Sequence, residues 1–115
     1  MSLLIVGTVA FDGIETPYGK ANKILGGSAT YIGIAASYFN KNSNLISIVG
    51  EDFPEANINL LISHGINCEG LEIKKGEKTF YWSGKYHDNM NRRDTLETHL
   101  NVLDNFEPKI PDNYQ

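Results

Sequence analysis

The sequence predicts an α/β layer fold built on a parallel or mixed sheet. Two apolar runs, LLIVGTVAFD (residues 3–12) and NLISIVGEDF (44–53), each end in a carboxylate within reach of a glycine. Runs of this kind suit strands covered on both faces by other layers. Between them, Gly26-Gly27 leads into SATYIGIAASYF, whose Ala29, Ile32, Gly33, Ala36 and Phe39 recur at helical spacing. The order strand, helix, strand, helix, strands fits crossover connections of one hand.

Taken in order, residues 3–12 form a continuous apolar run closed by Asp12, and residues 3–9 and 44–50 are expected to be neighbouring parallel strands with helix 28–39 as their crossover. Residues 14–24 hold Pro17-Tyr18-Gly19, a turn signal between two short extended pieces. The helix over 28–39 has Ser28 placed to cap its N-terminus, and Ala29, Gly33 and Ala36 let it approach a sheet closely. After the strand of 44–53, Pro54 suits the first turn of a helix that presents Ile58, Leu61 and Ile62 on one face and stops at Gly65. Residues 70–87 predict two strands around a Lys-Lys-Gly-Glu turn, the second alternating Thr79, Tyr81, Ser83 and Lys85 with Phe80, Trp82, Gly84 and Tyr86. Asn89 to Asn91 predicts a polar turn. RRDTLETHLNVL (92–103) allows a strand or a short helix, and its threonines lean to strand. The tail, with its two prolines, predicts a connector.

The 115 residues suffice for one small domain with a core of its own. Ten basic against 14 acidic side chains leave a net charge of −4, and the basic residues cluster only as Lys74-Lys75 and Arg92-Arg93. That is no footprint for nucleic acid. The single cysteine, Cys68, has no partner for an internal disulfide and fits a reducing compartment. The apolar start lacks a basic leader and is too short for a membrane span, so the expected location is cytoplasmic.

Three features carry chemistry. Asp12 is expected just past the first strand, at the sheet edge where ligands of open α/β folds gather. Gly26-Gly27 brings bare backbone to a helix start, where unpaired N–H groups favour electron-rich oxygens. Gly50-Glu51-Asp52-Phe53-Pro54 closes the second strand. A carboxylate accepts from hydroxyls and amides donate to them, which together suit a polyol. Singly, each has an ordinary structural reading: an aspartate after a strand is more often a turn or cap residue, and a Gly-Gly is usually a loop.

In this order and spacing the pieces resemble the N-terminal half of the ribokinase-type (PfkB) carbohydrate kinases. They are Gly7 to Asp12, then Gly26-Gly27-Ser28-Ala29, then Val49-Gly50-Glu51-Asp52, with His64-Gly65-Ile66-Asn67 and Gly70-Leu71 as the bridge onward. The resemblance covers residues 3 to about 87. It implies a partial ribokinase-like three-layer α/β sheet with a small β lid, the lid drawn from about 14–24 and part of 78–101. It further implies that residues 1–115 are the N-terminal portion of a sugar kinase, with the C-terminal nucleotide-binding portion absent. The activity implied is ATP-dependent phosphorylation of a sugar or polyol hydroxyl, with ATP and Mg as cofactors of the full-length enzyme. The alternative is a non-catalytic, sugar-binding or structural half-domain that assembles with another chain.

Carried over by position, the substrate-binding residues are Asp12, Gly26, Gly27, Ser28 and Tyr31. Tyr31 stands where many members have a sugar-binding asparagine. Asp52 is expected to organise its loop and helix start rather than touch substrate. No catalytic base is assigned, because the family's Gly-Ala-Gly-Asp motif has no counterpart in this sequence. The expected partners are a small-molecule sugar and a second copy through the lid, with no nucleic acid and no membrane. Rival motifs fail. Gly7 is followed by Thr8-Val9-Ala10 rather than a dinucleotide fingerprint, and Gly76-Glu77-Lys78-Thr79 lacks the adjacent Gly-Lys of a phosphate loop. His64, Cys68, His87 and His99 show no metal-ligand spacing.

Overall fold

A computed structural model of the chain describes residues 2–40, 42–89 and 91–112. Its elements are β1 (Leu3–Val6), β2 (Ala10–Thr16), β3 (Gly19–Gly26), α1 (Ser28–Ser37), β4 (Ser43–Gly50), α2 (Glu55–Ser63), β5 (Ile66–Lys74), β6 (Tyr81–Tyr86), β7 (Arg93–His99) and a 3-10 turn over Asn101–Asn105. They form two sheets, one in the order β1-β4-β5 and one in the order β3-β2-β6-β7.

The first sheet is parallel throughout, with Ile5 opposite Leu45 and Ser47 opposite Leu71. Strand β4 is its centre and explains its two faces. Leu45 and Val49 point into a core shared with Ile5, Leu61, Ile66 and Leu71, under α1 and α2. Ile46 and Ile48 are equally buried but point the other way, beneath Phe106, Glu107 and Lys109 of the C-terminal connector. A strand covered on both faces is apolar on both, which is why its run does not alternate; the buried Ser47 satisfies its hydroxyl by donating to the Gly7 carbonyl at 2.6 Å. Helix α1 is the β1-to-β4 crossover, and its bare Gly33 makes the close approach: a Cβ there would meet Ile66 Cδ1 at 2.7 Å.

The run of residues 3–12 is not one strand. It breaks at Gly7-Thr8-Val9, and β2 continues in the second sheet. The cause is local. The Thr8 carbonyl accepts the Ala29 N–H at 2.9 Å, and Thr8 Oγ1 accepts the Ser28 N–H, also at 2.9 Å. Backbone committed to a helix start cannot also run a sheet ladder. The apolar continuity belongs to the core rather than to one strand, since Val9 and Phe11 are buried within it.

The second sheet takes in both segments expected to form a lid and is larger than expected, because it begins at Ala10 and keeps β3 paired as far as Gly26. Strands β2 and β3 are antiparallel around Pro17-Tyr18, β2 and β6 parallel, β6 and β7 antiparallel. The two strands expected in 70–87 do flank a turn at Gly76, but they belong to different sheets. Residues 93–99 settle as strand. Of the Asn89–Asn91 turn, position 90 lies outside the described residues, as do 113–115 of the tail; the Asn91 N–H donates to Asn89 Oδ1 at 3.1 Å.

Three helix details differ from expectation. Ser28 is not the cap: the N-cap is Gly27, and Thr8 takes the N–H groups from outside the helix. Pro54 is the N-cap of α2 rather than its first helical residue. On α2 Leu61 is fully buried, whereas Ile62 remains 53% exposed. The helix rests on the sheet through a narrower stripe than its sequence offers. Leu61→Ala should therefore cost about 2–5 kcal/mol of stability, while Ile62→Ala should stay within about 0.5 kcal/mol. Urea denaturation followed by circular dichroism measures both; equal losses would show that α2 packs on its other side.

Candidate functional site

Asp12 lies inside β2 rather than past the end of a strand, because the break at Thr8 moves the chain into the second sheet at Ala10, ahead of the expected start at 14. It is opposite Ile24 on β3 and Trp82 on β6. Beside it the β2–β3 pairing bulges, with Lys23 in the left-handed region at φ 50°. Bulges re-aim side chains near binding sites. Gly26 closes β3 with no side chain where the Asp12 carboxylate lies, since a Cβ there would collide with Oδ2. Gly27 adopts φ 95° and ψ 150°, and a Cβ on it would strike the Thr8 carbonyl. Both glycines are thus required by contact, and Gly27 also by its backbone angle.

Helix α1 then brings the Tyr31 hydroxyl near the Asp12 carboxylate, close enough for each to shift the other's proton affinity. Burial pushes the Asp12 carboxyl above its ordinary value of 3.8, and the nearby Tyr31 hydroxyl only partly opposes this. Tyr31 is itself pushed up, first by burial, then by the negative charge of Asp12 and by Tyr86. The structure therefore brings Asp12, Gly26, Gly27 and Tyr31 together where β2, β3 and α1 meet. Ser28 points elsewhere. Its Oγ is 3.3 Å from both the Thr8 N–H and Thr8 Oγ1, so it belongs to the link between Thr8 and the helix.

Asp52 has a structural task. Its Oδ1 accepts the Thr79 N–H at 2.8 Å and the Thr79 hydroxyl at 2.7 Å, and Thr79 Oγ1 accepts the Gly50 N–H at 3.0 Å. That ties the loop after β4 to the approach to β6, as expected, but it leaves the start of α2 without a side-chain cap. The histidines are separately engaged: His64 Nδ1 with Ser37 Oγ at 3.1 Å, His87 with Asp94 at 2.8 Å, His99 with Glu97 at 3.2 Å. Burial pushes the Cys68 thiol up to about 11, which removes it as a nucleophile. Sequence reading missed Thr8, Thr79 and Tyr86. Tyr86 had a usable signal, since it alternates in register with Trp82.

The residues present do not fit a nucleotide's phosphates or their metal. The Ser28 and Ala29 amides of α1 are already taken by Thr8. Glu55 lies in the first turn of α2, the wrong charge beside a phosphate. Among the described residues no group of three or more His, Cys, Asp or Glu side chains is placed to hold a metal ion. No helix among them is long and apolar enough to cross a membrane.

Solved structures of similar shape decide the fold. The nucleoside kinase of Methanocaldococcus jannaschii, an archaeal member of the ribokinase family, superposes with a TM-score of 0.73 at 22% identity, over 90% of this chain and 38% of that one. Over about 90% of its length this chain has the fold of part of a ribokinase-family kinase. The nucleoside kinase of Burkholderia thailandensis in complex with inosine gives 0.73 at 15% identity, over 90% and 37%. The ribokinase of Cryptococcus neoformans in complex with ADP gives 0.72 at 20%, over 87% and 34%. This chain thus spans under two-fifths of the length of the kinases whose fold it shares. The sequence matches no protein-family model and no curated protein.

The raised Asp12 carboxyl gives a pH-dependent prediction. A carboxyl that holds its proton more tightly when folded favours the folded state at low pH, and that contribution is lost as pH rises through the raised value. At neutral pH, ionised Asp12 carries a burial cost that asparagine does not. Asp12→Asn should be at least as stable as the parent at neutral pH, with the margin closing as pH falls towards 3.8. Thermal melts across that range test it; a parent chain more stable than the variant at neutral pH would mean that the carboxylate is fully compensated.

Proposed function

We propose that this chain is the acceptor-binding part of a ribokinase-type sugar or nucleoside kinase, in which ATP-dependent phosphoryl transfer is made to a hydroxyl held at Asp12. The observation that carries this is the seating of Asp12. A half-buried carboxylate lies against the bare backbone of Gly26, on the inner strand of a lid-like sheet, in a fold shared with such kinases. Its oxygens accept hydroxyl donors, and the Gly26-Gly27 segment brings backbone close enough to complete the grip. Tyr31 stands beside the carboxylate and favours its charged form. Ser28 acts here through Thr8 rather than on the ligand.

Transfer itself needs a positioned nucleotide, countercharge for the moving phosphoryl group and a base for the acceptor hydroxyl. None of these is assigned to residues 1–115, so in this reading they come from the remainder of the kinase fold. The chain alone is accordingly expected to bind the acceptor and leave ATP unspent. Calorimetry on the 115-residue chain should show saturable binding of a sugar or nucleoside, weakened by about 1.5–3 kcal/mol in Asp12→Ala, the scale of hydrogen bonds to a charged group. A coupled assay should show no acceptor-dependent ATP consumption. Unchanged affinity in Asp12→Ala would reduce Asp12 to a structural residue, and turnover by the chain alone would demand a catalytic centre within it.

A further inference from the structure

The face of the lid sheet that carries Asp12 also carries an aromatic wall. Side chains opposite one another across a ladder share a face, and so do alternate residues along a strand. Asp12 is opposite Trp82, and Trp82 is followed on that face by Gly84 and Tyr86; Tyr86 is opposite Arg93, and Gly84 opposite Thr95. The side-chain contacts agree. Trp82 Nε1 donates to Thr95 Oγ1 at 3.3 Å, and the Arg93 guanidinium lies 5.4 Å from the centre of the Trp82 ring.

Gly84 decides how the indole lies. A Cβ at Gly84 would collide with the six-membered ring of Trp82, so the ring lies flat along β6, directed away from Asp12 and over Gly84. Two residues of strand separate the Trp82 and Gly84 backbones, about 6.6 Å. One sugar ring with its hydroxyls on the Asp12 carboxylate cannot also cover an indole that extends that far along the strand. A ligand that uses both must carry a second, flat group beyond its sugar. The Arg93 guanidinium lies over this indole face at 5.4 Å from the ring centre, and Arg93 is exposed, so a flat group can take its place on the ring.

We propose that the acceptor is a nucleoside rather than a free sugar, with its ribose hydroxyls on Asp12 and its base stacked on Trp82 in the place Arg93 now takes. Trp82 is then the residue that sets specificity, and Tyr31 and Tyr86 flank the junction of sugar and base. This rests on the reading of Asp12 as the sugar-binding carboxylate. It assigns a different group to the choice between substrates.

Trp82 is the chain's single tryptophan, so its fluorescence reports the stacking directly. The 115-residue chain is titrated with inosine, adenosine, ribose and fructose 6-phosphate, with affinities confirmed by calorimetry. Inosine or adenosine should quench Trp82 saturably and bind at least about tenfold tighter than ribose, the scale of one base–aromatic stack. In Trp82→Leu that preference should fall towards parity, and in Trp82→Phe part of it should return. Ribose binding as tightly as the nucleosides overturns the assignment while leaving Asp12 as a sugar site. Tighter binding of fructose 6-phosphate than of inosine overturns it in favour of Arg93 as an anion contact. No binding of any of the four overturns both this inference and the reading on which it rests. The comparison among ligands on the parent chain stands even where a Trp82 variant fails to fold.

Discussion

Everything at the candidate site depends on the link between Thr8 and the start of α1. One residue serves two N–H groups of the helix, through its carbonyl to Ala29 and through its hydroxyl to Ser28. Orphan donors at a helix start must find partners, and here the partner is a strand interrupted for the purpose. The interruption ends β1 at Val6 and hands the chain to the second sheet at Ala10. Without it Asp12 would extend the first sheet, away from Gly26. With it, Asp12, the glycine pair and Tyr31 arrive from three elements at one point. Gly27 is part of the same bargain, because only a residue without Cβ passes the Thr8 carbonyl at φ 95°.

The order of elements was legible because each rests on a short-range signal. The unalternating run of β4 records burial on both faces, Gly65 and its φ of 78° record the end of α2, and the small residues of α1 record its approach to the sheet. Pairing was less legible, because it depends on partners distant in sequence. The run of 3–12 reads as one strand since a core-facing loop and a core-facing strand demand the same residues, and Val9 is as buried as any strand position. The separation of β5 from β6 into different sheets is equally silent. Its cause is the carboxylate of Asp52 holding Thr79, a contact across 27 positions. Within the site, Asp12 and the glycines could be named from their pattern. The approach of Tyr31 to Asp12 could not, since it needs the turn of α1 and the bulge of β2 together.

The two sheets are joined twice over. Phe11 and Phe53 meet with ring centres 5.7 Å apart, at a tilt of 32°, a favourable aromatic geometry that ties the lid's inner strand to the loop after β4. Asp52, Thr79 and Gly50 add a polar clasp beside them. Farther out the lid thins: β7 is exposed along its length, as is β3 from Gly19 to Ile24. Rigidity is therefore greatest at the base, where Asp12 lies, and least at the tip. A lid needs that gradient, since elements that close over a ligand come from the less stable end of a structure.

The contrast between the two aspartates of the motif gives the site its physical meaning. Asp52 is exposed, yet three hydrogen bonds in its clasp are internal to the chain, and its contribution is to the fold. Asp12 is more deeply placed, bears the cost of burial, and has for partner a tyrosine whose own hydroxyl is disfavoured as an acid by the same charge. No backbone connection of the sheets runs through its side chain. A group that is costly to bury and idle in the architecture is what stability alone would remove, and such groups accumulate where a ligand repays them. The same logic applies to the indole beside it. Gly84 gives up a side chain in the middle of a strand, a position where glycine weakens pairing, and the space it vacates is filled by a flat ring on the Asp12 face. The cost falls at both places on one face of the sheet, within two residues along β6, and the ligand proposed for that face would offset the two together.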